Sequence, residues 1–109
     1  MKFMLFICTD SSVAHVREAA GALQAWIKEG EERGICVDGQ RLRPPSDAKL
    51  LRIREGELIV SDGPFAESKE WIGGYDILDC KDLAEAIDFA SRHPMARSGQ
   101  IEIRPFWPL

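Results

Sequence analysis

An α+β domain, with two helices packed on one face of a largely antiparallel sheet, is the architecture this sequence predicts. Three observations carry it. Two stretches repeat apolar residues at the three- and four-residue spacing of a helix. Six others are short apolar or alternating runs bounded by Gly, Pro and Asp, as strands are. Both helices are apolar on one side only, so each needs a sheet face to cover it.

The elements follow in order. The run Phe3 to Cys8 is apolar throughout and reads as a strand buried on both faces. Asp10, Ser11 or Ser12 can then cap a helix by accepting from its unpaired first-turn amides. Val13, Val16, Ala20, Leu23 and Ile27 form one stripe on a helix of about five turns, and Gly34 stops it. A strand over 35–43 ends at Pro44-Pro45, where no amide is left for a ladder. The runs 49–54 and 57–61, joined at Glu55-Gly56, read as a hairpin, and Asp62-Gly63-Pro64 as a turn. In the strand over 71–80, Gly73-Gly74 marks a bulge or a close approach of another backbone or a ligand.

Asp82 and Glu85 open the second helix as a capping box, with Leu83, Ala86, Ile87 and Ala90 as its buried stripe. His93, before Pro94, is read as a helix-end residue satisfying terminal carbonyls. Ser98-Gly99 turns the chain into a last strand. There Ile101 and Ile103 point one way and Gln100, Glu102 and Arg104 the other. This is the β-α-β-β-α-β order of a ferredoxin-like fold with an extra strand from the hairpin. With 109 residues and no linker or repeat, one domain over 1–109 is expected.

Composition narrows the function. A net charge of -4 disfavours nucleic acid as a partner, since phosphate binding needs concentrated positive charge. Arg41, Arg43, Lys49, Arg52 and Arg54 cluster in sequence but read as solvated or ion-paired strand positions. The first apolar run is too short to span a bilayer or serve as a signal peptide, so neither membrane nor export is expected and the cytoplasm is the default. Cys8, Cys36 and Cys80 are scattered, with no CxxC pair and only two histidines in the chain. Buried free thiols, and no metal, are expected. No nucleotide-binding glycine loop is present, and no cofactor is expected.

The sheet face away from the helices carries Phe, Leu, Val and Tyr beside Glu102 and Arg104, and the tail adds Phe106 and Trp107. A partly apolar face is better covered by a partner chain, so a homodimer enclosing a cavity lined by the polar minority is expected.

The segment Asp62-Gly63-Pro64-Phe65-Ala66-Glu67-Ser68-Lys69-Glu70, followed by Gly73-Gly74-Tyr75, resembles the signature of the DGPF-motif branch of the YCII-related family. Leu42-Arg43-Pro44-Pro45, Pro94 with Ala96 and Gly99, and Ile101-Glu102-Ile103-Arg104-Pro105 extend the resemblance from about Gly34 to the end. It implies a ferredoxin-like dimeric α/β barrel. Some relatives are encoded beside, or fused to, sigma factors of the extracytoplasmic-function group. Others are viewed as enzymes through a His-Asp pair with the His in the first helix. Here that place falls near Leu23, and His15 lies at the helix start, so the pair is not carried over.

Candidate ligand-binding residues are Asp62, Phe65, Glu67, Lys69, Tyr75, Glu102 and Arg104. Asp62 to Phe65 also suits a rigid turn anchored by the ring. Lys69 could contact an anion and Glu67 accept a proton, or both could form surface ion pairs. Tyr75 packs, or serves a ligand. Glu102 and Arg104 pair across a dimer, or Arg104 holds a ligand carboxylate. Asp38, beside Gly39, faces a cavity or the sheet edge. Trp26, Trp71 and Trp107 are read as core or interface anchors. Three functions remain open: a dimeric small-molecule-binding or regulatory accessory module, a cofactor-free lyase or isomerase on a small substrate, and a protein partner of a sigma factor. The fold alone does not choose among them, nor decide whether the chain is an enzyme.

Overall fold

The computed structural model describes residues 1–10, 12, 19–63 and 70–108. Its order is β1 (Lys2–Asp10), α1 (Ala22–Glu32), β2 (Cys36–Arg41), a short 3-10 turn (Pro45–Asp47), β3 (Lys49–Arg54), β4 (Glu57–Asp62), β5 (Glu70–Asp79), α2 (Leu83–Ser91), α3 (Met95–Ser98) and β6 (Gly99–Pro105). Four strands form one sheet in the order β2-β5-β1-β6, every neighbouring pair antiparallel. This is the α+β, ferredoxin-like arrangement that the order of elements predicts. The hairpin departs from expectation. Instead of extending this sheet, β3 and β4 form a separate two-stranded one.

The core lies between the helices and one face of the sheet. Phe3, Leu5 and Ile7 alternate inward from β1, Leu78 joins them from β5, and Trp26, Ala86, Phe89 and Ala90 cover them from α1 and α2. Trp26 stacks on Phe89 with ring centroids 4.4 Å apart, and its Nε1 donates to the Phe89 carbonyl at 2.8 Å. That pair fixes how both helices are rotated, overturns the predicted stripe of α1 and keeps only Ala86 and Ala90 of the one predicted for α2. In α1 the buried residues are Trp26 and Gly30, while Leu23 and Ile27 are half-exposed. In α2, Ala86, Phe89 and Ala90 are buried, whereas Leu83 and Ile87 are exposed. The larger aromatic surfaces claim the core.

α1 is also shorter than expected. Gly21, at φ 79, takes a left-handed conformation and sets the helix start at Ala22, with no side-chain cap. Val13, Val16 and His15 lie outside the described residues, and Ala20 is exposed ahead of the helix. Asp10 does accept from the Ser12 amide at 2.9 Å, but as a local turn. Gly34, at φ 69, ends α1 as predicted. The predicted capping box of α2 is present in its N-cap half, and its return bond is shifted by one residue, to the amide before the cap. Asp82 accepts from the Glu85 amide at 2.9 Å, and Glu85 from the Lys81 amide at 3.1 Å.

The bulge predicted at Gly73-Gly74 is real. β1 runs Ile7, Cys8 against Gly74, Ile72 of β5, leaving Gly73 as the extra residue. A second irregularity leaves Val37 of β2 unpaired between Cys36 and Asp38. α3 replaces the simple turn expected after Pro94. None of Cys8, Cys36 and Cys80 is in a disulfide; two are buried and one half-buried. No described helix is long and apolar enough to cross a membrane.

Candidate functional site

Beside the two irregularities of β2 and β5, and lined also by α1, is a cavity of about 1140 Å³. Its roof is Leu23 and Ile27 of α1, the residues that the Trp26–Phe89 stack rotates out of the core. Ile7 and Gly74 contribute to its floor. Trp71 and the Leu42-Arg43-Pro44 segment stand at one margin, and His93 and Met95 at another. Such a mostly apolar space with a few polar groups is the usual form of a small-molecule site.

Asp76 is the polar group set deepest on the sheet side. It pairs in register with Leu5 of β1, which points into the core, so its carboxyl faces the helices and stands half-buried in the cavity wall. On the neighbouring strand it meets Gly39. A methyl group at Gly39 would fall 2.1 Å from Asp76 Oδ1, so the carboxyl occupies space that only glycine leaves free. Burial first, and the nearby Asp38 carboxylate second, push the Asp76 carboxyl up to about 6. Among the described residues no Lys or Arg forms an ion pair with it. Surface carboxylates behave otherwise: Glu29 meets Arg92 at 2.8 Å and Arg33 at 2.9 Å, which hold it below its usual range. Burial also pushes the Cys36 thiol up to about 11, with Asp76 and Glu31 adding to it, so this cavity thiol is no nucleophile.

The candidates read from the sequence are dispersed. Asp62 ends β4 on the separate hairpin and forms an ion pair with Lys49 across it. Phe65, Glu67 and Lys69 lie outside the described residues. Tyr75 lies opposite Phe6, on the face away from the helices, yet contributes to the cavity wall. Its hydroxyl bonds to no carboxylate among the described residues. Glu102 and Arg104 lie on the open face of β6 and pair with each other at 2.6 Å within one chain. Arg104 also stands 5.3 Å over the Phe6 ring. Asp38 does border the cavity. Of the tryptophans, Trp26 is core, Trp71 borders the cavity, and Trp107 is 92% exposed.

Sequence reading missed Asp76 and the burial of His93. A signal for Asp76 existed, since it stands two residues before the core residue Leu78 and therefore shares its face. His93 does stand at the helix end, where its amide and not its ring donates to the Ala90 carbonyl at 3.0 Å. It is buried, and its Nδ1 accepts from the Met95 amide at 3.0 Å.

An uncharacterized protein of Rhizobium meliloti (strain 1021) is 40% identical over 98 residues, covering 74% of this chain and 79% of the relative. The profile of the YCII-related domain matches residues 1–109, and the chain belongs to the YCII-related family.

Proposed function

We propose that this chain is a homodimeric small-molecule-binding domain whose ligand occupies the cavity between α1 and the β2–β5 edge. One observation carries the reading. A half-buried carboxyl, Asp76, forms no ion pair with any described Lys or Arg, although Arg41 and Arg43 line the same mostly apolar cavity, and it stands in a space kept for it by Gly39. A structural ion pair would bring its own Lys or Arg. A carboxyl placed this way instead offers a ligand a hydrogen-bonding group that water screens little.

The homodimer rests on a separate feature. Met4, Phe6, Tyr75 and Ile77 lie on the sheet face opposite the helices, half-exposed in the single chain, with Glu102 and Arg104 beside them. A second copy packed there would remove this apolar surface from water. Sedimentation at micromolar concentration should give twice the mass of one chain; a monomer would remove this half of the proposal.

A thermal-shift screen against a metabolite library tests the binding function. A ligand at a hundred times its Kd stabilises the folded state by about 2.7 kcal/mol, well within detection. A true ligand should shift the wild type more than Asp76→Asn. Silence across chemically diverse classes would defeat the proposal and favour a protein partner, the sigma-factor association included. A lyase or isomerase reading has one observation of its own: a carboxyl that titrates at about 6 suits proton transfer near neutral pH. Turnover of a screened ligand, abolished in Asp76→Asn, would convert the binding domain into an enzyme.

A further inference from the structure

The geometry points to His93 as an uncharged hydrogen-bond donor at the Met95 end of the cavity, selecting ligands that place a carbonyl-type oxygen there on an apolar body. This rests on the cavity being a ligand site and adds what the ligand must carry.

His93 is 6% exposed, and it is the buried polar residue of the described core. Its Nδ1 accepts the Met95 amide proton at 3.0 Å, so Nδ1 carries no proton and the neutral ring holds its hydrogen on Nε2. No described residue accepts from that Nε2–H. Yet every described side-chain nitrogen or oxygen cut off from solvent has a hydrogen-bond partner. The unpartnered Nε2 therefore keeps an opening, and the open space that His93 borders is the cavity. The ring is held against rotation. Trp26 meets it edge-on at 4.7 Å, and Trp26 is itself fixed by its bond to the Phe89 carbonyl. The His93 amide donates to Ala90, and its carbonyl accepts from Ala96. A donor held on both sides and open to the cavity is oriented in advance for a ligand acceptor, which would replace the water that otherwise meets it.

The surroundings define that ligand. Burial keeps the imidazole neutral, so it offers a dipole and no positive charge. A carboxylate or phosphate would draw on Arg41 and Arg43, which line the same cavity beside Asp76, Asp38 and Glu31, and would gain little from the neutral ring itself. A hydroxyl would bring a proton of its own, and the side chains of Trp26 and Met95, which stand beside the ring, offer no strong acceptor for it. A carbonyl oxygen accepts and asks for nothing back. Asp76, on the sheet side of the same cavity, is left to serve a donor elsewhere on the ligand.

Acetophenone, ethylbenzene and 1-phenylethylamine share a shape and differ in carrying a carbonyl, nothing polar, or a cation. Their binding to full-length protein labelled with ¹⁵N-histidine can be followed on the ring nitrogens. The chain has two histidines, so His93→Phe assigns the spectrum by difference. Acetophenone should shift the His93 Nε2–H resonance. His93→Phe should weaken acetophenone about five-fold and leave ethylbenzene within about two-fold. Equal weakening of both, an unmoved His93 ring under bound acetophenone, or preference for the amine would overturn the donor role while leaving the cavity a ligand site. Failure of all three probes to bind would overturn both. If His93→Phe does not fold, the wild-type ring resonance alone decides.

Discussion

Replacing Asp76 with Asn should stabilise the protein at neutral pH, and the gain should vanish on acidification. The folded carboxyl titrates at about 6, against an ordinary value of 3.8. Each pKa step is worth about 1.4 kcal/mol, so a dry site would make the difference about 3 kcal/mol. Asp76 borders an open cavity, and solvent screening reduces this to about 1.5 kcal/mol. The sign follows from proton counting. Between pH 3.8 and about 6 the native state keeps a proton that the unfolded chain has lost, so stability falls as pH rises through this window. Above about pH 6 the whole loss is in place; below 3.8 both states are protonated and nothing is lost. Asn removes the effect. The stability of Asp76→Asn minus that of the wild type should therefore be about +1.5 kcal/mol at pH 7.5 and near zero at pH 4, apart from any pH-independent offset.

His93 makes the subtraction necessary. Burial lowers its pKa from 6.5 to about 4, so over nearly the same window the unfolded chain gains a proton that the native state refuses. Stability then falls as pH drops, opposite in sign to Asp76, and the wild-type profile alone shows only the sum. Urea unfolding at fixed protein concentration, followed by tryptophan fluorescence at half-unit pH intervals, supplies both curves. A difference that is flat with pH, or that grows toward pH 4, would refute the account of Asp76 as a half-buried carboxyl without a counter-ion.

Three further perturbations test the framework around the cavity. Gly39→Ala should push the Asp76 carboxyl out of its place, because the new methyl would lie 2.1 Å from Oδ1; the pH-dependent effect of Asp76→Asn should then shrink by more than about half in that background. Gly30→Ala in α1 would gain helix propensity, yet its methyl would lie 2.2 Å from Cys36 Sγ and 2.7 Å from Phe89 Cζ. A net loss of about 1–2 kcal/mol by urea unfolding is expected, and a net gain would show that the α1–β2 packing yields easily. Glu55 turns the hairpin at φ 52, beside Gly56 at φ 80, a conformation that suits Asn far better. Glu55→Asn should raise stability by about 0.5–1 kcal/mol, and an unchanged midpoint would show that the hairpin contributes nothing to the cooperative unit.

Element order and topology were legible because local chemistry set them. Gly34, the Asp82–Glu85 box, the Glu55-Gly56 turn and the Gly73 bulge are each specified within a few residues, and each stands where it was expected. Helix rotation was not legible. The spacing of Leu23 and Ile27 is as helical as that of Trp26 and Gly30, and only the stack of Trp26 on Phe89, 63 residues away, decides which pair is buried. The separate hairpin escaped for a similar reason. Leu51, Ile53, Leu58 and Val60 share one face through the pairs Leu51–Val60 and Ile53–Leu58, which reads as a strand pair ready to join a sheet. All four are more than half exposed, so that face packs on no described part of the chain.

The site was less legible than the fold because the signature segment's dense charges stand out in the sequence, while the cavity is assembled from five elements far apart in the chain. Tyr75 and Asp76 show how the two surfaces relate. Consecutive strand residues point to opposite faces. Tyr75 lies with Phe6 on the side proposed for the second copy, and Asp76 lies with Leu5 on the side of the cavity. A partner covering Tyr75 and a ligand meeting Asp76 would act on adjacent peptide units of β5, and Tyr75 itself also reaches the cavity wall. Coupling between them would have to pass through the position of that strand, and Gly73 and Gly74, at its bulge, are where the strand can shift. Ligand affinity measured across the dimer dissociation range decides whether it does. A change in affinity would make the open face a regulator of the cavity, and constancy would make β5 a wall between two independent surfaces.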